Sequence, residues 1–514
     1  MNVTSVEDAG TPFILALDLG SSSVRALLYD AHGDQLENSE TQIAHQLRST
    51  SDGGSEGDAT ALFDMVCSCI DGVLTWAGAR AADIAAVATS SFWHSLLALD
   101  GSGNPLSPVL MWSDKRSGPD VRDLTAHIAP EVLHQRTGCR PHSSYWPAKL
   151  LWFQRTYGKT WPEVAHWTSF ADYVALRLTG ANLASVSMAS GTGMLDINES
   201  VWDREVLDAV GVDVSAMPEL TDRNQPLPDL LPEFANRWKA LADIPWYPAI
   251  GDGAAANIGA GCIGADRIAI TVGTSAAMRM ITDHEPSAKS PLSFIPPRIW
   301  NYRLDRYHRV VGGALSNAGN VAGWIARHMA QGEFDDLSEG AAQIAADGHG
   351  LTILPFLAGE RSPSWNDRAT GTLSGLRLST TPAEIFRATL EATAYRIAAI
   401  YDDLSLLVKP EHEIHINGAA ALRSPMWIQI ISDTLGHPVQ AVEADAEASA
   451  RGAALCALET LGLRPDLRGE GNTIARTYEP NAENHRIYAS ARRRQKRLEA
   501  ALSAFEAGGI PESA

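Results

Sequence analysis
Asp18 sits near the end of an apolar run, Phe13-Ile-Leu-Ala-Leu-Asp18-Leu19, and is followed at once by the small hydroxylated turn Gly20-Ser21-Ser22-Ser23. A carboxylate at a strand end beside such a turn suits Mg²⁺ held through water. Backbone N–H groups and hydroxyls in the turn can converge on anionic oxygens such as those of phosphate. Val24 to Asp30, carrying Arg25, resumes as a second strand. Strand, turn, strand is neither a mononucleotide P-loop nor a dinucleotide loop, both of which open into a helix. By itself the hairpin serves equally well as an ordinary capped turn.

A second copy shifts that balance. Ile270 to Asp283 lines up without a gap on Leu17 to Asp30, so that Gly273-Thr274-Ser275 repeats Gly20-Ser21-Ser22. Asp18 is replaced by Thr271, and the second copy keeps the phosphate turn while losing the metal carboxylate. Gly251-Asp252-Gly253 ends a short strand, and a small-residue helix begins at Ala254. Its glycines permit close backbone approach and let Asp252 project from the turn. Gly259 to Gly264 spells GxGxxG but leads into a strand and not a helix, which argues against a dinucleotide site. Trp93-His94-Ser95 follows a strand, and Trp112-Ser-Asp114-Lys-Arg116-Ser117 sets an aromatic, an acid and a base within a few residues. Aromatic walls with convergent polar groups suit a sugar; a salt-bridge cluster accounts for the second group as well.

The elements that must position these residues follow from periodicity. Strands are predicted at 13–19, 24–30, 35–43, 84–90, 96–100 and 109–113, with 48–58 a Gly/Ser/Asp loop and 59–77 a helix. Residues 146–157 and 170–178 have helical patterns whose tryptophans read as core. In the second half, 310–319 is a Gly-rich strand-to-helix junction and 320–329 continues as helix. A helix over 382–406 precedes a strand at 413–417, and Ser424 caps a helix with Pro425 at its first position. Helices at 446–461 and 484–505 complete the pattern. Residues 1–12 are a loose leader.

The chain has 514 residues, 45% of them hydrophobic and 20% charged, which fits two large globular domains. A net charge of -20 argues against nucleic acid or an anionic membrane as partner. The five cysteines are odd in number and form no CxxC pair, which argues against structural zinc and a disulfide framework. The polar, acidic N-terminus is no signal peptide, and no apolar stretch is long enough to span a bilayer. These features predict a cytoplasmic protein.

The motifs occur in the order and spacing of the FGGY family of carbohydrate kinases, which the chain resembles from Phe13 to about Ser503: Asp18 to Arg25, Gly251-Asp252-Gly253, Val272 to Ser275, Gly312-Gly313-Ala-Leu-Ser-Asn317 and Asn417-Gly418-Ala419-Ala420. The resemblance implies an α/β fold with two ribonuclease H-like, actin-like ATPase domains and a catalytic cleft between them. Their bounds would be 13–262 and 263–503, flanked by the leader and a tail at 504–514. Trp93 to Asp100, Trp112 to Ser117 and Gly359 to Asn366 look closest to the gluconokinases, although Trp93 stands where methionine is usual and Pro141 to Pro147 departs from the family's loop.

By the same resemblance Asp252 is the general base, and the reaction is ATP-dependent phosphorylation of D-gluconate to 6-phosphogluconate, with a xylulokinase or another ketose or polyol kinase as the alternative. Asp18 would hold Mg²⁺. Gly20, Ser21, Ser22, Ser23, Arg25, Gly273, Thr274 and Ser275 would serve the phosphates, Gly313 and Asn317 the ribose and phosphates, and Gly418 and Ala419 the adenine. Trp93, His94, Asp114 and Arg116 would contact the sugar or sugar acid, with Arg116 or His94 meeting a carboxylate. A homodimer is a family-level expectation. An ATP-driven conformational switch and a silent sugar sensor are the competing classes; Asp252 in its turn opposes the first, and the intact phosphate turns oppose the second.

Overall fold
The computed structural model describes residues 3–283, 294–330, 334–442, 447–468 and 473–507. The chain divides into two compact units: 1–265, 280–311 and 445–472 make one, and 266–279, 312–444 and 473–514 the other.

In the first unit, β1 (Val3–Thr4), β2 (Phe13–Leu19), β3 (Ser23–Tyr29), β4 (Gln35–Leu36) and β5 (Thr41–Ala44) precede the helix α1 (Ala59–Ala77). Then come β6 (Ile84–Ser91), α2 (Trp146–Thr156), β7 (Ile250–Gly251) and α3 (Asp252–Gly259). The sheet order is β1–β4–β3–β2–β6–β7, with β5 also on β3. β2 is buried along its length except at Asp18, as befits a central strand covered on both faces. It pairs antiparallel with β3 and parallel with β6.

Asp58 caps α1 by accepting from the Ala61 N–H at 2.9 Å, and Leu62, Phe63, Val66, Ile70 and Val73 form its buried face. Helix and following turn, Ala59–Asp83, are together long and apolar enough to cross a bilayer, contrary to the expectation that no such stretch exists. That face packs on β3 and β5, as in a core helix. Trp146 and Trp152 lie in a second apolar core of the unit, as predicted.

Three local expectations are corrected in this unit. Residues 3–12 are tied down: β1 runs parallel to β4, and the Ala31 N–H donates to the Gly10 carbonyl at 2.9 Å. Residues 1–2 of the leader and 508–514 of the tail lie outside the described residues. The strand predicted over 35–43 is split into β4 and β5. Residues 48–58 hold two short strands, Arg48–Ser49 and Ser55–Gly57, which pair with each other, and Ser55–Gly57 also pairs with Val109–Leu110; buried acidic side chains at 56 and 114 anchor this segment.

The second unit is built on β8 (Arg267–Val272), β9 (Ala276–Asp283), β10 (His308–Leu315), α4 (Gly319–Ile325), α5 (Pro382–Leu404), β11 (Glu413–Asn417), α6 (Pro425–Leu435), β12 (Val439–Val442), β13 (Ile474–Tyr478) and α7 (Ala482–Ala507). β10–β9–β8–β11–β12–β13 run side by side in a seven-stranded sheet whose edge strand beyond β10 is Trp300–Arg303. With the edge strands β1, Trp300–Arg303 and β13 set aside, each sheet reads third, second, first, fourth, fifth strand, with a phosphate hairpin at its centre, which is the ribonuclease H-like order. α5 starts on a capping box of Thr381 and Glu384, and Ser424 caps α6 ahead of Pro425, as predicted. The helix expected over 320–329 ends at Ile325 and passes into a wider turn at Ala326–Ala330. The predicted helix at 446–461 is Ala448–Thr460, with Ala446 outside the described residues.

The two hairpins are not the same length. Leu19 pairs with Val24, leaving four residues in the first turn, whereas Val272 pairs with Ala276 and leaves three in the second. The ungapped alignment therefore slips by one residue after the turn: the residue opposite Asp18 is Arg25, and the residue opposite Thr271 is Ala277.

Candidate active site
In the first unit, β7 lies parallel to β6 with Gly251 beside Ser91, and α3 begins at Asp252. The Gly251 N–H donates to Ser187 Oγ at 3.1 Å, and Asp252 Oδ1 accepts from the Gly253 N–H at 2.7 Å. The half-buried carboxylate is thus fixed in the first turn of a helix, where the dipole favours its negative charge. α3 rests on the helix Ala448–Thr460 through contacts that admit no side chain. A Cβ on Gly452 would fall 1.9 Å from the Ala255 carbonyl oxygen, and one on Gly259 would fall 2.0 Å from that of Ala448.

The wall beside this turn is aromatic. A Cβ on Gly251 would lie 1.8 Å from Trp93, whose Nε1–H donates to the Ser187 carbonyl at 2.9 Å. Trp93 meets Tyr302 at 5.1 Å between ring centres, and Tyr302 stacks on Trp300 at 4.2 Å. His94 packs on Tyr145 at 5.1 Å, and the hydroxyls of Tyr145 and Tyr302 share a hydrogen bond of 2.6 Å. His94 has a left-handed backbone (φ 70°), and its Nδ1–H is placed to donate to the Gly191 carbonyl.

Sequence reasoning found Trp93, His94 and Asp252 but assigned no role to Tyr145, Trp300 or Tyr302. The period-two spacing of Trp300 and Tyr302 on the strand Trp300–Arg303 was the available signal.

Asp114 and Arg116 are engaged elsewhere. Both are buried, with the guanidinium hydrogen-bonded to Asp114 at 2.5 Å and to Glu56 at 2.7 Å and lying 4.5 Å over the Trp152 ring. The Ser55 N–H donates to the same Asp114 oxygen, Oδ2, at 3.1 Å. This is a buried ion-pair cluster holding the strand at Ser55–Gly57.

At the first hairpin, the Gly20 N–H donates to the Ser23 carbonyl at 2.9 Å, and Ser21 and Ser22 make no side-chain hydrogen bond among the described residues. Ser22 is exposed and Ser21 half-buried. Asp18 Oδ1 accepts from Ser90 Oγ at 2.5 Å. Burial raises the Asp18 carboxyl above the usual aspartate range, against the pull of that hydrogen bond and of Arg25. Its other oxygen has no partner among the described residues, as a cation ligand requires. Arg25, expected at the nucleotide, is ion-paired with Glu447, whose own carboxyl burial pushes up to about 7.

The second unit holds an open cavity of about 880 Å³, lined by Gly273, Thr274, Gly319, Asn320, Gly323, Trp324, Arg327, Phe334, Ala358, Ala419 and Arg423 among others. Its size suits a nucleoside. The second hairpin forms one end: the Gly273 N–H donates to the Ser275 carbonyl at 2.9 Å, while the Gly319 and Asn320 N–H groups donate to the Gly273 and Thr274 carbonyls at 3.0 Å. Gly418, with φ 96°, turns the chain so that Ala419 and Ala420 line the cavity.

Two expected nucleotide residues have other work. A Cβ on Gly313 would sit 2.7 Å from Ile400 on α5, so that glycine serves packing. Asn317 is buried, donating to the Gly359 carbonyl at 2.7 Å and accepting from the Ala358 N–H at 3.0 Å. It holds the cavity's edge instead of facing it. The aromatic rings of Trp324 and Phe334 line the cavity with no sequence motif to mark them.

Residues 13–259 match the N-terminal domain, and residues 268–460 the C-terminal domain, of the FGGY family of carbohydrate kinases. The chain is 27% identical over 480 residues to a gluconokinase of Bacillus subtilis, covering 91% of each chain. Among solved structures, a gluconate kinase from Lactobacillus acidophilus superposes with a TM-score of 0.87 at 26% identity, covering 96% of this chain and 98% of that one. A xylulose kinase from the same organism matches with the same TM-score, 0.87, the same 26% identity and the same coverage of 96% and 98%.

Proposed function
The chain belongs to the FGGY family of carbohydrate kinases, and from that premise we propose that it transfers the γ-phosphoryl group of ATP to the terminal hydroxyl of D-gluconate, giving 6-phosphogluconate and ADP. The observation that carries this reading is the Asp252 turn: a carboxylate held by the Gly253 N–H at 2.7 Å, one residue from a glycine that admits the face of Trp93.

Asp252 takes the proton as the hydroxyl oxygen bonds to phosphorus and the bond to the β-phosphate oxygen breaks. Ser21, Ser22 and the amides of both turns supply hydrogen-bond donors to the phosphoryl oxygens. Trp324, Phe334, Ala419 and Ala420 enclose the base and sugar of the nucleotide. Asp18, through its unpartnered oxygen, is the residue that would hold Mg²⁺, which when bound neutralises phosphate charge. The aromatic wall of Trp93, Tyr145 and Tyr302 covers the apolar faces of the substrate and excludes water that would hydrolyse ATP. Five buried cysteines, none of them bridged, support a cytoplasmic setting.

A ketose such as xylulose is the second reading, and one observation favours it. Arg116, the cation expected to meet a substrate carboxylate, is already paired with Asp114 and Glu56.

ADP release with Mg·ATP across gluconate, xylulose, ribulose and glycerol tests both, with Asp252→Asn beside the parent chain. A gluconate response abolished by the substitution supports the proposal. A response to xylulose alone replaces the sugar and keeps the base, and no response to any sugar overturns the kinase assignment for this chain.

A further inference from the structure
Lys149 is a buried lysine that the mechanism above does not use. It is 1% exposed, and its ammonium makes one hydrogen bond among the described residues, a 2.7 Å contact to the backbone carbonyl of His94. Three residues earlier on the same face of α2, the Trp146 indole N–H donates to the next carbonyl, Ser95, also at 2.7 Å. The backbone N–H of Trp146 donates to the Thr192 carbonyl at 2.9 Å, beside Gly191, whose carbonyl holds the His94 ring. One helix end therefore grips the Trp93–His94–Ser95 turn at two successive carbonyls and anchors the loop that orients its imidazole.

The turn needs gripping. His94 has φ 70°, a left-handed conformation that a residue with a β-carbon adopts only when its surroundings over-determine it. Burying an ammonium is costly, and this one lowers its own pKa to about 7 through burial, with Asp114 and Arg116 the charged groups acting on it in opposite senses. A methionine would fill the same space without that cost, so packing alone does not account for a lysine here.

We propose that Lys149 is a positioning residue for the sugar: by holding the His94 carbonyl it keeps the strained turn in the one conformation that presents Trp93 and His94 to the substrate. The inference rests on the kinase reading above and on the assignment of that turn to the sugar. It assigns Lys149 no contact with substrate and no proton transfer. Trp146 makes the same kind of contact one residue further on, with a neutral donor.

Steady-state kinetics of Lys149→Met, Lys149→Ala and Trp146→Phe test it, using whichever sugar of the panel drives ADP release by the parent chain. Lys149→Met should raise the sugar KM about tenfold or more, with the ATP KM unchanged within twofold. Trp146→Phe should shift the sugar KM in the same direction by less. In Lys149→Ala, added ethylammonium should lower the sugar KM by refilling the donor, with no effect on the parent. If Lys149→Met and Trp146→Phe change both KM values equally, or leave the sugar KM unmoved, the positioning role is wrong while the kinase stands. If no sugar drives ADP release by the parent, the kinase reading fails first and the inference falls with it.

Discussion

Trp93 lies so close against Gly251 that a β-carbon on residue 251 would come within 1.8 Å of its indole ring. Trp93 is also fixed by its bond to the Ser187 carbonyl and by Gly191, whose own Cβ would come within 2.5 Å of the ring. It has nowhere to retreat. Gly251→Ala should therefore displace the indole or the Asp252 turn by about an ångström, and such misplacement costs on the order of 100-fold in kcat/KM. Trp93→Met in the Gly251→Ala background should recover part of that loss, since the flexible thioether can yield. A Gly251→Ala variant with parental kinetics would show that the turn and the wall are not coupled.

The buried Asp172 offers a pH-dependent prediction. It sits in the first turn of the helix Phe170–Thr179 with Ser169 Oγ donating to it at 2.6 Å, and burial raises its carboxyl to about 7 in spite of that bond. The folded chain holds this proton up to about pH 7, whereas the unfolded chain releases it near 4. The group's contribution to stability is thus fully present below about 4 and is lost as the pH rises through 7. Asp172→Asn mimics the protonated form. Its thermal midpoint should exceed the parent's by a few degrees at pH 8, with the gap closing toward pH 4. A difference independent of pH would mean that the carboxyl is ionised throughout.

How much of this was legible beforehand depended on whether the signal was local. The hairpins, the Gly-Asp-Gly turn and the Ser424 cap are carried by contiguous residues, and each was found where expected. The one-residue difference between the hairpin turns was invisible, since Ser23 and Ala276 align acceptably and only strand register separates them. Asn317 and Gly313 were given to the nucleotide because motif position does not reveal which way a side chain faces; their partners lie at 358–359 and 400. Nothing near Arg116 in the sequence points to Glu56, 60 residues earlier, whose carboxylate lies 2.7 Å away. Pairings distant in sequence leave no periodicity to read.

Arg116 separates a structural charge from a substrate contact. Removing one member of a buried ion-pair cluster leaves the others uncompensated, so Arg116→Met should lower unfolding stability by about 3–5 kcal/mol. Asp114 and Glu56 already occupy the guanidinium, and the ratio of gluconate KM to xylulose KM should stay within twofold of the parent's. Denaturant titration and the two KM values read the two effects separately. A selective rise in the gluconate KM would return Arg116 to the carboxylate of the substrate.

Two glycines on α4 probe the nucleotide cavity from opposite directions. The N–H groups of Gly319 and Asn320 tie the second phosphate turn to the helix, and a Cβ on Gly319 would fall 2.5 Å from the Gly273 carbonyl oxygen. Gly319→Ala should push the turn away and raise the ATP KM about tenfold, with the sugar KM unchanged within twofold. Gly323 lines the same cavity, but a Cβ there meets nothing within 4 Å. Alanine at 323 should strengthen the helix by about 0.5–1 kcal/mol while intruding on the space a nucleoside would fill. Gly323→Ala is therefore expected to raise the melting temperature and the ATP KM together. That combination follows only if the nucleotide occupies this cavity; a higher melting temperature with an unaltered ATP KM would place the nucleotide elsewhere.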